Sequence, residues 1–154
     1  MQPQSLAQNQ STLYERDFYA WCQQQSNLLK SRQWQLLDTK NLIEEIESLG
    51  KQQKQELRNR LGLLIGHLLK WQYQPQKQGN SWKATIREQR RQIRLLLEDN
   101  PSLQPYLQEA LDQAYSSGID LAIQETNLDE DTFPETCPYA LEQIFDAQFL
   151  PEVL

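Results

Sequence analysis

His67 is the sole histidine of the chain, which makes it the first residue to weigh for proton transfer or metal binding. Its natural companions would be Glu44, Glu45 and Glu47, carboxylates able to complete a metal site or a general-base pair. Helix-bundle di-metal centres, however, draw on two Glu-x-x-His pairs from facing helices. This sequence holds one histidine and no such pair. On a continuous helix Glu45 and His67 would also stand about 30 Å apart along the axis. They would meet only across a neighbouring helix or a second subunit. The expectation is therefore a structural histidine, hydrogen-bonded inside the core, with no metal or cofactor.

Cys22 and Cys137 are the next candidates, as nucleophiles. Cys22 lies on an apolar-striped segment. Cys137 precedes Pro138 at an expected helix start, a setting that can lower a thiol pKa. The two are far apart and form no Cys-x-x-Cys pair, so the expectation is reduced thiols in a cytoplasmic protein. A glycine-rich phosphate loop, a nucleophile elbow and paired-cysteine metal spacing are all missing from the sequence. The N-terminus lacks the basic and apolar regions of a signal peptide. The longest apolar run, from Leu61 to Trp71, carries His67 and Lys70 and falls short of the ~20 residues that span a bilayer.

Charge is the strongest physical signal. Residues 1–50 hold 4 Lys/Arg against 6 Asp/Glu, residues 51–94 hold 11 against 2, and residues 95–154 hold none against 13. A net charge of −6 conceals this basic centre. Within it Lys83, Arg87, Arg90, Arg91 and Arg94 recur at helical spacing, while Lys70, Trp71, Tyr73, Lys77 and Trp82 surround the turn before them. Cations interleaved with aromatic rings can hold phosphates and stack bases, or hold an acidic protein surface. The structural expectation comes first: this face pairs with the acidic C-terminal third, within one molecule or across a homodimer, and the two tryptophans close a helix corner. An acidic protein partner ranks second. Nucleic acid ranks third, because the 13 acidic groups that follow would repel the same phosphates.

The elements that must carry these residues are helices. Glutamine, glutamate, leucine, lysine and arginine dominate, with only 5 glycines and 7 prolines. Residues 1–11 read as a disordered N-terminus and residues 12–154 as a single helical domain. Thr12 with Glu15 forms a capping-box pattern, followed by the stripe Tyr14, Phe18, Trp21 and Leu28. Asp38 suits the N-cap of a second helix. That helix predicts a run of roughly 30–35 residues through Leu42, Ile46, Leu49, Leu57, Leu61, Leu64, Leu68 and Trp71. Ser81 is the expected cap of a third helix that stops at Asn100-Pro101, and Ser102 that of a fourth. Gly118 is read as a bend in the fourth helix, and Pro138 opens a short fifth. Gly62 and Gly66 read as a close helix crossing within the chain. The fold class is all-α: four principal helices in a bundle and a short C-terminal helix, the second and third antiparallel across the Trp71–Trp82 turn.

Several stretches, taken together, are distinctive. They are Asp17-Phe18-Tyr19-Ala20-Trp21, Glu44-Glu45-Ile46-Glu47, and the run from His67 through Trp71-Gln72-Tyr73-Gln74 to Pro75. Further ones are Ser81-Trp82, Thr85-Ile86-Arg87-Glu88-Gln89-Arg90, Pro101-Ser102-Leu103, Phe133-Pro134-Glu135 and Cys137-Pro138-Tyr139. With these motifs the chain resembles, from about Tyr14 to Glu152, the mostly bacterial family catalogued as domain of unknown function 29. Lys77 stands where that family usually has a basic, often arginine-rich, loop. The resemblance implies a compact all-helical domain and no particular activity. The functional expectation thus rests on the residues: a non-enzymatic interaction module whose partner-binding residues are Lys70, Trp71, Tyr73, Trp82, Lys83, Arg87, Arg90, Arg91 and Arg94. A nucleic-acid-associated protein using the same face is the alternative, and a metal-dependent enzyme around His67 a weaker one.

Overall fold

The structure, a computed structural model, describes residues 13–154 and is all-α, with no strand among the described residues. Four long helices, α1 (Phe18–Lys30), α2 (Thr39–Tyr73), α3 (Asn80–Asp99) and α4 (Leu107–Thr126), precede a short α5 (Leu141–Phe145). The expectations for residues 1–11 and for the Thr12 cap lie outside the described residues. The chain divides into two compact units, with the boundary between Lys51 and Gln52 in α2.

In the first unit Asp17 caps α1, its Oδ1 accepting from the Ala20 amide at 3.0 Å. The apolar stripe from Tyr14 is therefore interrupted by a cap. Asp38 sits at the start of α2, as its type and position predict. Its Oδ2 accepts from Trp21 Nε1 at 2.9 Å and from Asn41 Nδ2 at 2.8 Å, and its own amide donates to Gln25 Oε1 at 2.8 Å. This hub fixes α1 to the head of α2, with Trp21, Gln25 and Asn41 buried around it. Tyr14 hydroxyl donates to Glu45 at 2.5 Å, and that bond pushes the phenol up to about 12. Two helices can bury only the sides that face each other. Ile43, Ile46 (65% exposed) and Leu49 (60%) stay in solvent, although Ile46 and Leu49 share a sequence stripe with the buried Leu57, Leu61, Leu64 and Leu68.

The second unit is built around the later half of α2, where Leu57, Leu61, Leu64, Ile65, Leu68 and Leu69 are fully buried. Gly50 does not break the helix, which runs 35 residues. Ile86, Ile93 and Leu97 of α3 and Ala110, Leu111 and Ala114 of α4 complete the core with Phe133, Tyr139 and Ile144. The antiparallel pairing of α2 and α3 is explicit: Arg60 Nη1 donates to Gln89 Oε1 at 3.2 Å, and Gln78 Nε2 donates to the Trp71 carbonyl at 2.9 Å. Three boundaries differ from expectation. Gly79, not Ser81, precedes α3. Residues Pro101–Tyr106 form a 3-10 turn, so Ser102 does not cap α4. Pro105 has no amide hydrogen to donate to an i−4 carbonyl, and the α-ladder starts only at Leu107. Pro138 likewise lies before α5, which opens at Leu141 after Ala140, whose amide donates to Gln143 Oε1 at 2.9 Å.

Gly118, within the uninterrupted α4, is a point of close contact. A Cβ placed there would lie 2.8 Å from Ile65 Cγ2 and 3.3 Å from the Gly62 carbonyl; one on Gly66 would lie 2.6 Å from Leu121 Cδ2. These glycines bring α2 and α4 together within the chain, as the Gly62/Gly66 spacing predicts. A Cβ on Gly50, by contrast, meets nothing within 4 Å. Alanine is favoured over glycine in a helix by ~1 kcal/mol, while overpacking a core costs about 1–3 kcal/mol. Gly118→Ala should therefore lower the unfolding free energy by up to ~2 kcal/mol, and Gly50→Ala should raise it by up to ~1 kcal/mol. Urea denaturation of the two variants checks the opposite signs.

Candidate functional site

The sequence-selected cations and rings separate into an internal and an external group. Lys70 is 4% exposed; its ammonium pairs with Glu125 of α4 and lies 4.5 Å from the centre of the Trp82 ring. Lys83 stands over the Trp71 ring in turn, at 5.5 Å. These two crossed cation–aromatic contacts staple the end of α2 to the start of α3. Trp71 is buried, and Tyr73 packs edge-on against Phe133 with ring centres 5.1 Å apart. Lys70, Trp71 and Tyr73 are thus committed to holding the corner. Trp82 is partly exposed at its edge.

Arg90 is internal as well, and this separates it from its neighbours on α3. Its Nε donates to the Ile144 carbonyl at 2.8 Å and its Nη2 to the Gln143 carbonyl at 3.1 Å. A cation on the last carbonyls of a helix is a favourable cap, and here it ties α5 to α3. Burial lowers the Arg90 pKa, while the charge of Asp146 acts in the opposite direction. Lys83, Arg87, Arg91 and Arg94 are exposed. Arg91 pairs with Glu88 on its own helix, and Gln92 and Arg91 together hold the Glu88 carboxyl below its usual range. Among the described residues no ion pair joins α3 to the acidic residues 95–154; Lys70–Glu125 is the pair that links the basic and acidic segments. All 13 acidic residues of that last stretch are exposed. Within the molecule, neutralisation of the basic segment by the acidic third is therefore limited, among the described residues, to Lys70–Glu125 and does not extend to the α3 cations.

His67 is half-buried on α2, and its Nδ1 lies 2.9 Å from the Leu63 carbonyl. A carbonyl can only accept, so Nδ1 carries the proton and donates within its own helix. Among the described residues no group of three or more His, Cys, Asp or Glu side chains is brought together as a metal site. Glu45 instead accepts from Tyr14 in the first unit. Cys137 is not activated: burial raises its thiol pKa, and its Sγ donates to the Tyr139 carbonyl at 3.6 Å. Both cysteines are free thiols. Nearby, Tyr115 hydroxyl donates to the Pro134 carbonyl at 2.5 Å and Tyr139 hydroxyl to Gln72 Oε1 at 2.8 Å. The Phe133–Tyr139 segment is thereby tied to the end of α2 and to the middle of α4.

The stretches that carried the family resemblance are those that build these contacts: the Trp71–Trp82 corner, Arg90 on α3, and the strap from Phe133 to Tyr139. A family model described as "Domain of unknown function DUF29" matches residues 13–150. The chain belongs to this family. The match covers nearly the whole chain, both units included. No curated protein and no solved structure matches it. Within the DUF29 chain described here, no helix among the described residues is long and apolar enough to cross a membrane.

Sequence reasoning missed Glu125 as the partner of Lys70, because the two are 55 positions apart. It also missed the apolar cavity beside Arg94, whose wall residues occupy ordinary stripe positions.

Two predictions follow from the titrating groups. Burial, the largest influence, depresses the His67 pKa below its ordinary 6.5; the charge of Lys70 adds to it, and the Leu63 bond and Glu125 oppose it. The unfolded chain then binds more protons than the native one as pH falls through the ordinary histidine value. Stability present above that value should decline on acidification from about pH 7.5 to about pH 5.5. His67→Gln should flatten that slope in paired urea titrations. For the thiol, Cys137 in a Cys22→Ser background should react with iodoacetamide at least ~10-fold more slowly in the native protein than in urea at about pH 8.

Proposed function

We propose that the chain is a non-enzymatic interaction module that receives a protein partner with an acidic surface on the exposed cations of α3. The observation that carries the reading is the state of Lys83, Arg87, Arg91 and Arg94. They recur along one helical side, they are exposed, and they have no ion pair with the chain's own acidic third among the described residues. A cationic face left open beside many free carboxylates is an arrangement for electrostatic steering toward an anionic surface. Trp82, partly exposed at the head of α3, adds an aromatic edge of the kind that anchors interfaces. The crossed contacts at Lys70–Trp82 and Lys83–Trp71 hold that edge in place, so it needs little ordering on binding.

The 13 exposed carboxylates of residues 95–154 favour a protein over nucleic acid, since they would repel a polyanion approaching the same unit. A cytoplasmic location fits the two free thiols. Reversal of Arg87 and Arg91 to glutamate places like charges across the interface, a cost of several kcal/mol. In affinity purification from the native organism, Arg87→Glu with Arg91→Glu should reduce recovery of the partner by ~10-fold or more while the melting temperature holds. The same partners recovered at the same level with the folded variant would overturn the reading. Retention on DNA or RNA that falls steeply with salt, and is lost in the variant, would transfer the face to nucleic acid.

A further inference from the structure

Toward the C-terminal end of α3, away from the Trp82 corner at its head, the second unit contains a cavity of about 450 Å³ walled by α3, the 3-10 turn and the start of α4, and α5. That volume falls within the range of small-molecule sites, ~300–1,000 Å³. Its apolar wall is Leu97 of α3, Leu107 of α4, and Leu141 and Phe145 of α5. Arg90 and Arg94, one helical turn apart, line the same space. Arg90 is 8% exposed and has no carboxylate within ion-pair distance among the described residues. Two of its five donors are spent on the Ile144 and Gln143 carbonyls, and its Nη1 makes no hydrogen bond among the described residues. Nor is Nη1 among the fully enclosed unpartnered atoms, so solvent or a ligand reaches it. A buried guanidinium with unused donors at the edge of an apolar chamber is an unfinished arrangement. Arginine binds carboxylates through its planar fork, and the apolar wall beside it offers contact to whatever the carboxylate carries.

We infer that this cavity is a binding site for a small amphiphilic monocarboxylate, the apolar body seated on Leu97, Leu107, Leu141 and Phe145 and the carboxylate on Arg90 and Arg94. The acidic groups around the cavity disfavour ligands of higher charge. Glu98 and Glu142 also line the cavity and are exposed at its rim, and Asp146 lies close enough for its charge to act on Arg90. These three carboxylates already outnumber the two arginines, so a ligand's charge is held only where it lies on the guanidinium groups themselves. A second charge, as on a dianion or a phosphate monoester, would face the acidic rim and meet more repulsion than a monocarboxylate does. The site shares Arg94 with the α3 partner face, whereas Arg87 and Arg91 do not line it.

The test uses the full chain and sodium decanoate as the probe, titrated by calorimetry at constant low salt. Saturable one-to-one binding is expected. Decanol, which lacks the charge, and decanedioate, which carries two, should each bind at least ~10-fold more weakly, because a charge-assisted hydrogen bond contributes more than a neutral one. Ala147→Trp, an exposed wall position filled with a large ring, and Arg94→Gln should each weaken decanoate ~10-fold or more with the melting temperature preserved. Arg87→Glu with Arg91→Glu should leave decanoate binding intact, which separates this site from the partner face. No saturable binding, equal affinity for decanol, or undiminished binding to folded Ala147→Trp would each overturn the inference.

Discussion

Between Leu57 and Trp71, α2 leaves only a narrow side to water, with Asn59 and Leu63 exposed. Leu57, Leu61, Leu64 and Leu68 point one way, while Ile65 and Leu69 extend the apolar surface around the cylinder. Burial of each such side chain contributes ~1.5–3 kcal/mol, so this segment must be enclosed and the remaining elements are arranged to enclose it. α3 supplies Ile86 and Ile93, α4 supplies small residues that permit close approach, and the strap through Phe133 and Tyr139 closes the end. The polar groups that accompany it inward are handled one by one. Lys70 reaches Glu125, and Gln72 accepts the Tyr139 hydroxyl.

Enclosure also explains how the basic segment divides. A cation on the border of the buried stripe is drawn inside if a partner waits there, and Arg90 finds two carbonyls at the end of α5. One turn further on, Arg94 finds no such partner and remains at the surface. Burying an arginine without acceptors would cost several kcal/mol, so the carbonyls decide its fate. In the first unit a similar economy operates through Asp38, which gathers an indole, an amide side chain and a backbone contact into one joint.

Periodicity and capping chemistry made much of this legible. The length of α2, its Asp38 cap, the stop at Asn100 and the α2–α3 corner are all consequences of interactions within one helix or between neighbours in sequence. The starts of α3 and α4 were not legible from Ser81 and Ser102, because a serine hydroxyl signals a cap only if the backbone turns there. Gly79 and the pair Pro101/Pro105 set the backbone instead. The candidate face was readable as a set of cations, yet not as two groups. Arg90 and Arg94 differ only in what the C-terminal fifty residues place beside them, and local spacing holds no record of that. The same applies to Leu97 and Leu107, whose apolar character looks identical in a packed layer and in a cavity wall.

The glycine contacts of α2 and α4 bear on uniqueness as well as on stability. Gly62, Gly66 and Gly118 form a notch in which each missing methyl is matched by an atom of the opposite helix, down to Ile65 and Leu121. Sliding one helix by a single residue moves it 1.5 Å along the axis and turns it by nearly a third of a revolution. Larger side chains such as Leu63 or His67 would then face the space where only hydrogen fits. Leucine-rich helices can otherwise interdigitate in several alignments of similar energy. Here the notch works as a key, admitting one alignment and rejecting its neighbours by collision. The crossing thereby sets the frame within which Lys70 meets Glu125 and the cavity walls acquire their spacing.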